Sequence, residues 1–159
     1  MNKKKLTAMI LAKLEDDLAQ TVASVRATVE AATHEESKPE NEYDTRGLEA
    51  SYLAAAQSKR VAEMEELIAI CKNIELKEFK NDDKIAASAL VQVEMNGKKS
   101  FLFLMPKGGG FIFNLDGVSV QVISPVSPLG EALLGMKSGD TAVVETGNQI
   151  KEYEILSVE

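Results

Sequence analysis

Apolar residues in the first half of the chain keep step with a helix. From residue 5 to residue 33, Leu11, Leu14, Leu18, Val22, Val25, Val29 and Ala32 recur at intervals of three and four, which marks one helix face. The intervals nearly form a heptad seam, with one stutter near Leu18. Asp16, Asp17, Gln20 and Glu30 lie off the seam, and neither Pro nor Gly interrupts it. Residues 45–76 behave alike. Leu48, Tyr52, Ala55, Ala56, Ala62, Leu67, Ile70 and Ile74 favour one side, and Glu49, Lys59, Arg60, Glu63, Glu65 and Glu66 supply the other. Gly47 weakens this helix near its beginning by roughly 1 kcal/mol relative to Ala. Neither stripe is strong enough to hold a lone helix. Joined by a short turn, the two bury their stripes together, which predicts an antiparallel coiled-coil helical hairpin over residues 1–76. The many Ala residues in the stripe allow a close approach. About 30 residues at ~1.5 Å each give an arm on the order of 45 Å, whereas an average helix has about 11–12 residues. Such length predicts a probe.

After "KEFKNDDK", residues 77–84, the period changes to alternation. "ASALVQVEM", "KSFLFLM", "FIF", "GVSVQVIS", "DTAVVET" and "KEYEILSVE" read as strands. Asn96-Gly97 predicts a tight hairpin between the first two, "PKGGG" a turn, and "TGNQ", residues 146–149, a hairpin between the last two. Ser127 suits a helix N-cap, Pro128 the first helical position and Gly135 the left-handed residue past the end, with Leu129, Ala132 and Leu133 as a short apolar face. The pattern therefore predicts an α+β chain, with the hairpin followed by a mostly antiparallel β-sheet domain carrying one short helix over residues 80–159.

Composition narrows the function. In 159 residues the net charge is −7, which argues against generic nucleic-acid binding and leaves room for a basic protein partner. One cysteine, Cys71, allows no internal disulfide and fits a reducing compartment. Lys3, Lys4 and Lys5 look like the start of a signal peptide, but Lys13 and Glu15 arrive too soon for an apolar core. No apolar run approaches the ~20 residues of a membrane span. The expectation is a soluble, cytoplasmic protein with no membrane association. Because the two helices satisfy each other, a monomer is expected.

Negative charge concentrates where the hairpin turns. "HEESKPENEYD", residues 34–44, holds five carboxylates, one histidine and one proline. Such a turn is either a solvated loop or a charged instrument at the end of an arm.

"SPLGEALLGMKSGDTAVVETGNQIKEYEILSVE", residues 127–159, resembles the C-terminal end of the Gre transcript-cleavage factors, which act on bacterial RNA polymerase. Ser127, Pro128, Leu129, Gly130, Ala132, Leu133, Leu134, Gly135, Gly139, Asp140, Glu152, Tyr153 and Glu154 match that family's pattern; Met136 replaces a basic residue, though Lys137 follows. The order of elements is similar too, and the resemblance implies an FKBP-like fold for the sheet domain. At the turn the family carries Asp-x-x-Glu-Asn-x-Glu-Tyr. Here Glu40-Asn41 and Glu42-Tyr43 are retained with one residue fewer between the pairs. Ser37 stands where the Asp belongs, and Glu36 takes its place only with a shift of one.

The resemblance implies a transcription elongation factor that enters the polymerase's secondary channel. Its tip carboxylates would help hold a second Mg²⁺ in the polymerase's own active site, so that water attacks backtracked nascent RNA. The chemistry suits the residues: Mg²⁺ prefers oxygen ligands, two metals clamp attacking and leaving oxygens, and exposed carboxylates are ionised near neutral pH. Glu36 and Glu40 are the residues expected to share the metal, with Glu42 and Asp44 as alternatives. The chain would be an accessory factor, with no tightly bound cofactor and only indirect contact with nascent RNA. The altered turn motivates a second reading, a Gre-like channel binder that regulates or inhibits polymerase without stimulating cleavage. A third is a coiled-coil adaptor or peptide-binding FKBP-like folding helper.

Other residues read as ordinary. His34 is expected to be exposed, Cys71 to pack, and Lys3, Lys4 and Lys5 to form a solvated terminus. "KGGG" lacks the Gly-Lys-Ser/Thr order of a phosphate loop and reads as a turn. Phe101, Phe103, Phe111, Phe113 and Tyr153 read as core or sheet-face residues. No catalytic triad can be assembled around one histidine, and no isomerase pocket is evident.

Overall fold

The computed structural model describes residues 1–33, 45–80, 82–147 and 149–159. Contacts divide the chain into two compact units, Ile10–Ala69 and Met1–Met9 together with Ile70–Glu159.

Helix α1 runs Lys3–Thr33 and helix α2 runs Arg46–Asn73. The Asn2 side chain accepts from the Lys5 amide at 3.0 Å, an N-cap bond for the start of α1. Hydroxyl residues inside the helices satisfy themselves locally. Thr21, Thr28, Ser51 and Ser58 each donate to the carbonyl one turn back. Lys13 with Asp17 and Arg26 with Glu30 form i,i+4 ion pairs on the outside. Helix α2 ends earlier than the apolar pattern suggests, because the chain from Ile74 leaves the helix and the Lys77 amide bonds to the Ser88 hydroxyl at 3.0 Å.

Within the helical unit the two helices run antiparallel, as the bond from Gln57 Nε2 to Ser24 Oγ at 3.0 Å shows, together with the facing of Val22 and Val25 against Ser58 and Val61. The inward face differs from the expected stripe. On α1, Ile10 and Leu14 are buried and Leu18, Thr21, Val25 and Thr28 are half-buried, whereas Val22 is 47% and Val29 42% exposed. On α2 the inward set is Gly47, Ala50, Ala54, Gln57, Val61, Met64 and Ile68, an unbroken alternation of three and four. Leu48 and Tyr52, expected inside, are 57% and 69% exposed. Glycine and alanine at the seam of α2 let the backbones come close. Bulky side chains at Leu48 and Tyr52 have no room there and turn outward.

The second unit is a six-stranded sheet. In chain order the strands are β1 Leu90–Met95, β2 Lys98–Leu104, β3 Ile112–Leu115, β4 Val118–Ile123, β5 Thr141–Thr146 and β6 Gln149–Val158, with α3 at Pro128–Leu133. Their order across the sheet is β3-β4-β2-β1-β6-β5. Neighbours are antiparallel except β2 and β4, which pair in parallel from Phe101↔Val120 to Leu104↔Ile123. The expected sheet is therefore mixed, because β3 folds back on β4 as an outer hairpin. That carries β4 into line with β2. Leu102, Phe103 and Leu104 are all buried although successive residues point to opposite faces, so both faces of β2 are covered. Val91, Val93, Leu102, Leu104, Ala142 and Ile155 form one core with Leu133 of α3. Asn96 and Gly97 both have positive φ, as the predicted two-residue hairpin requires. Asp116 and Gly117 do the same between β3 and β4, a signal as plain as Asn-Gly and overlooked in the sequence pattern.

Candidate functional site

The acidic candidates Glu36, Glu40, Glu42 and Asp44, and His34 beside them, lie outside the described residues. What is described is the pair of helix ends that flank them. At the end of α1 the Thr33 hydroxyl bonds back to the Val29 carbonyl at 2.9 Å. Before α2, the Thr45 carbonyl accepts from the Glu49 amide at 2.9 Å and the Thr45 hydroxyl donates to the Glu49 carboxylate at 2.9 Å. Among the described residues, no group of three or more His, Cys, Asp or Glu side chains could hold a metal ion. Nor is any helix among the described residues long and apolar enough to cross a membrane.

The matched stretch at 127–140 explains itself as architecture. Ser127 caps α3, its hydroxyl accepting from the Gly130 amide at 3.1 Å and donating to the Ser124 carbonyl at 2.7 Å. Pro128 opens the helix. Gly130 lies so near the preceding turn that a Cβ there would sit 1.9 Å from the Ser124 carbonyl oxygen. Gly135 takes φ +80° past the end, and its amide bonds to the Ile85 carbonyl at 2.9 Å. Asp140 closes the next turn by accepting from the Lys137 amide at 3.0 Å, while Gly139 donates to Ile155. Ser127, Pro128, Gly130, Gly135, Gly139 and Asp140 thus fold the strap around α3, while Leu134 stays 49% exposed.

Lysine 3 departs from the solvated terminus expected of it. Its ammonium bonds to the carbonyls of Lys77 and Ser88, the latter at 3.2 Å, and lies 5.1 Å from the Phe79 ring centroid. Ser88 is fully buried with φ +70°, an uncommon conformation for a non-glycine residue, and its hydroxyl holds the Lys77 amide. Burial lowers the Lys3 pKa, an effect partly offset by Glu159 and Glu78. Lys4 stays exposed and Lys5 pairs with Asp116. Nothing in the spacing of Lys3 and Ser88, 85 residues apart, could have signalled this knot.

Cys71 is buried with its thiol 3.6 Å from the Thr7 carbonyl, a packing role as expected. The glycine run is a turn: Gly108, Gly109 and Gly110 all have positive φ, and a Cβ on Gly109 would meet the Val122 carbonyl at 3.1 Å. Phe103 is core, and Phe111 and Phe113 pack against each other on β3 and the residue before it, with ring centroids 6.3 Å apart. Between the glycine run and α3 opens a groove of about 650 Å³ whose lining includes Lys107, Lys151, Val122, Val144, Pro128 and Tyr153. Among the described residues its lining contains no carboxylate, in a chain of net charge −7.

The comparisons with known proteins point to one class, the transcription elongation factors. Residues 115–159 match the family model described as "Transcription elongation factor, GreA/GreB, C-term". The chain is 32% identical over 116 residues to the transcription elongation factor GreA of Syntrophus aciditrophicus, covering 69% of this chain and 68% of that one. It is 28% identical to GreA of Methylococcus capsulatus over 99% of this chain and 98% of the other. Among solved structures, the GreA factor homolog 1 (Gfh1) of Thermus thermophilus aligns over 94% of both chains at 22% identity, with a TM-score of 0.37. The chain belongs to the GreA/GreB family of transcription elongation factors, as a divergent member.

Proposed function

We propose that this chain binds bacterial RNA polymerase through the secondary channel and stimulates cleavage of backtracked nascent RNA. The observation that carries the reading is the heptad-packed pair α1 and α2, whose linking segment, residues 34–44, concentrates five carboxylates. Family membership supplies the context. Glu36 and Glu40 offer the oxygen donors that Mg²⁺ prefers, and Glu42 and Asp44 are the alternatives. Held with the help of these carboxylates, Mg²⁺ would supply activation of water against the RNA phosphodiester. The chain's part is to deliver negative charge at the right depth, with the polymerase supplying the rest of the site. Most of the helical surface is polar, so the hairpin can enter a wet channel at little desolvation cost.

The test is shortening of RNA in backtracked polymerase complexes. The wild-type chain should accelerate it, and Glu36→Ala with Glu40→Ala together should reduce the effect by at least about tenfold with polymerase binding retained. Binding without acceleration favours the second reading, a channel binder that regulates or inhibits polymerase. That reading is motivated by the residue missing between Glu40-Asn41 and Glu42-Tyr43 and by Ser37 standing where the family's Asp belongs. Failure to bind polymerase at all sinks both and favours a coiled-coil adaptor.

A further inference from the structure

The sheet has two outer strands, and they are finished differently. β5 carries Glu145 and has α3 packed against it. β3 carries neither a charge nor a proline, the devices that usually blunt an exposed edge. Ile112 on it is 70% exposed, and the rings of Phe111 and Phe113 are only half-buried. Pairing with β4 fixes the backbone direction. The Phe111 carbonyl accepts from the Val122 amide at 2.8 Å, so by alternation Phe113 and Leu115 also turn their backbone groups toward β4. Ile112 and Asn114 turn theirs outward. Among the described residues neither has a backbone partner on that side.

We propose that this edge is a docking surface for a second copy of the chain, with the two β3 strands antiparallel about a two-fold axis beside Phe113. Ile112 of each copy then exchanges both backbone bonds with Asn114 of the other. All four outward groups of each strand are satisfied by the same four on its partner. Between these exchanges Phe113 faces its own counterpart, an aromatic cross-strand pair. The charges select a copy in this orientation. Residues 108–115 are uncharged, with Lys107 before them and Asp116 after them. Antiparallel pairing brings each lysine end toward the other copy's aspartate end, and parallel pairing sets like against like. Asp116, though it holds Lys5, stays exposed. In a chain of net charge −7, this neutral edge lets two copies approach without carboxylates meeting. The Gly110 amide also bonds to the Val122 carbonyl, a bulge that ends the edge before Phe111. The contact is therefore short, and the association weak.

The experiment measures the mass of the full chain by sedimentation from about 10 μM to about 1 mM. Mass should climb with concentration toward twice that of one chain. Ile112→Pro removes an outward donor and leaves the β3–β4 bonds intact. It should stay at the mass of one chain throughout, with the thermal transition of the parent. In a Cys71→Ser background, Phe113→Cys tests the register. Its Cα and the partner's lie about 4.5 Å apart in such a pair, within the span of a disulfide. Mild oxidation should link this variant into dimers faster than Val143→Cys on the other edge, although Val143 is 47% exposed. A chain of single mass at every concentration overturns the proposal, even if polymerase later covers the edge. Association that survives Ile112→Pro also overturns it, as does equal cross-linking at the two edges. If Ile112→Pro does not fold, Ile112→Lys decides, since it places a charge on the edge and spares the backbone. Polymerase takes no part in these measurements, so their outcome is separate from that of the cleavage assay.

Discussion

Gly130 shows how closely one residue can be held. With the Ser124 carbonyl oxygen 1.9 Å from where a methyl group would begin, no rotamer relieves the clash. Gly130→Ala must push α3 off the turn that feeds it. It should cost at least about 3 kcal/mol, read as a lowered midpoint in urea, at the upper end of ordinary overpacking. Ser127→Ala removes only the cap and should cost about 1 kcal/mol. Lys3 provides a pH test. Burial lowers its pKa below the ordinary 10.5. At low pH both folded and unfolded chains carry the proton, and the folded state bears the full penalty of a partly desolvated charge. As pH rises toward 10.5 the folded state gives up its proton first, so stability rises over that window and levels off above it. Wild type should therefore gain stability relative to Lys3→Met between the lowered pKa and 10.5, measured by denaturant unfolding at several pH values. A flat difference would show that the carbonyls of Lys77 and Ser88 stabilise the charged form as well as water does.

At the scale of elements, the helical unit grades from firm to soft. Ile10, Leu14, Met64, Leu67 and Ile68 supply apolar bulk at one end of the seam, and Thr21, Thr28, Gly47, Ala50 and Gln57 supply little at the other. Amides in residues 20–33 and 46–58 should exchange with deuterium about tenfold faster or more than those in 10–16 and 64–69, a sub-global opening of the weaker end. Side-chain truncation should agree. Leu14→Ala should cost about 2–5 kcal/mol, and Val22→Ala, on the expected stripe but 47% exposed at the edge of the observed seam, should stay within about 0.5 kcal/mol. The same contrast explains what could be read in advance. Turns carried by residues with special backbone preferences were legible: Asn96-Gly97, Ser127-Pro128 and Gly135 all sit where the sequence puts them. The existence of two long helices was legible as well, from uninterrupted period and length. The inward face of α2 was not, because a seam of Gly and Ala leaves the largest apolar residues, Leu48 and Tyr52, on the outside, and hydrophobicity then points the wrong way. Nor was the parallel β2–β4 pair, since alternation marks a strand without naming its neighbour. The acidic residues of 34–44 were conspicuous by composition alone, and their roles rest on the cleavage assay.

For the whole molecule, the division into units separates two tasks. The stretch that matches the family model, 115–159, lies wholly in the sheet unit, and its Ser127, Gly130, Gly135 and Asp140 serve turns and caps. The acidic segment belongs to the other half of the chain and matches the family pattern less closely. Family membership therefore speaks first for the fold and leaves the activity to be measured. A chain with residues 17–64 replaced by a short Gly-Ser turn keeps every residue of the sheet unit. It should retain a cooperative thermal transition with sheet-type circular dichroism, and it should lose all acceleration of RNA shortening.

Strand β6 enters the sheet between β1 and β5, although it is translated after both. While the ribosome still holds those ten residues, no strand joins β5 to β1, and β1 has only β2 as a strand partner. Closure must wait for release of this stretch from the exit tunnel. Nascent chains that stall short of Gln149 should remain open, clients for chaperones or proteases, however complete their helices already are.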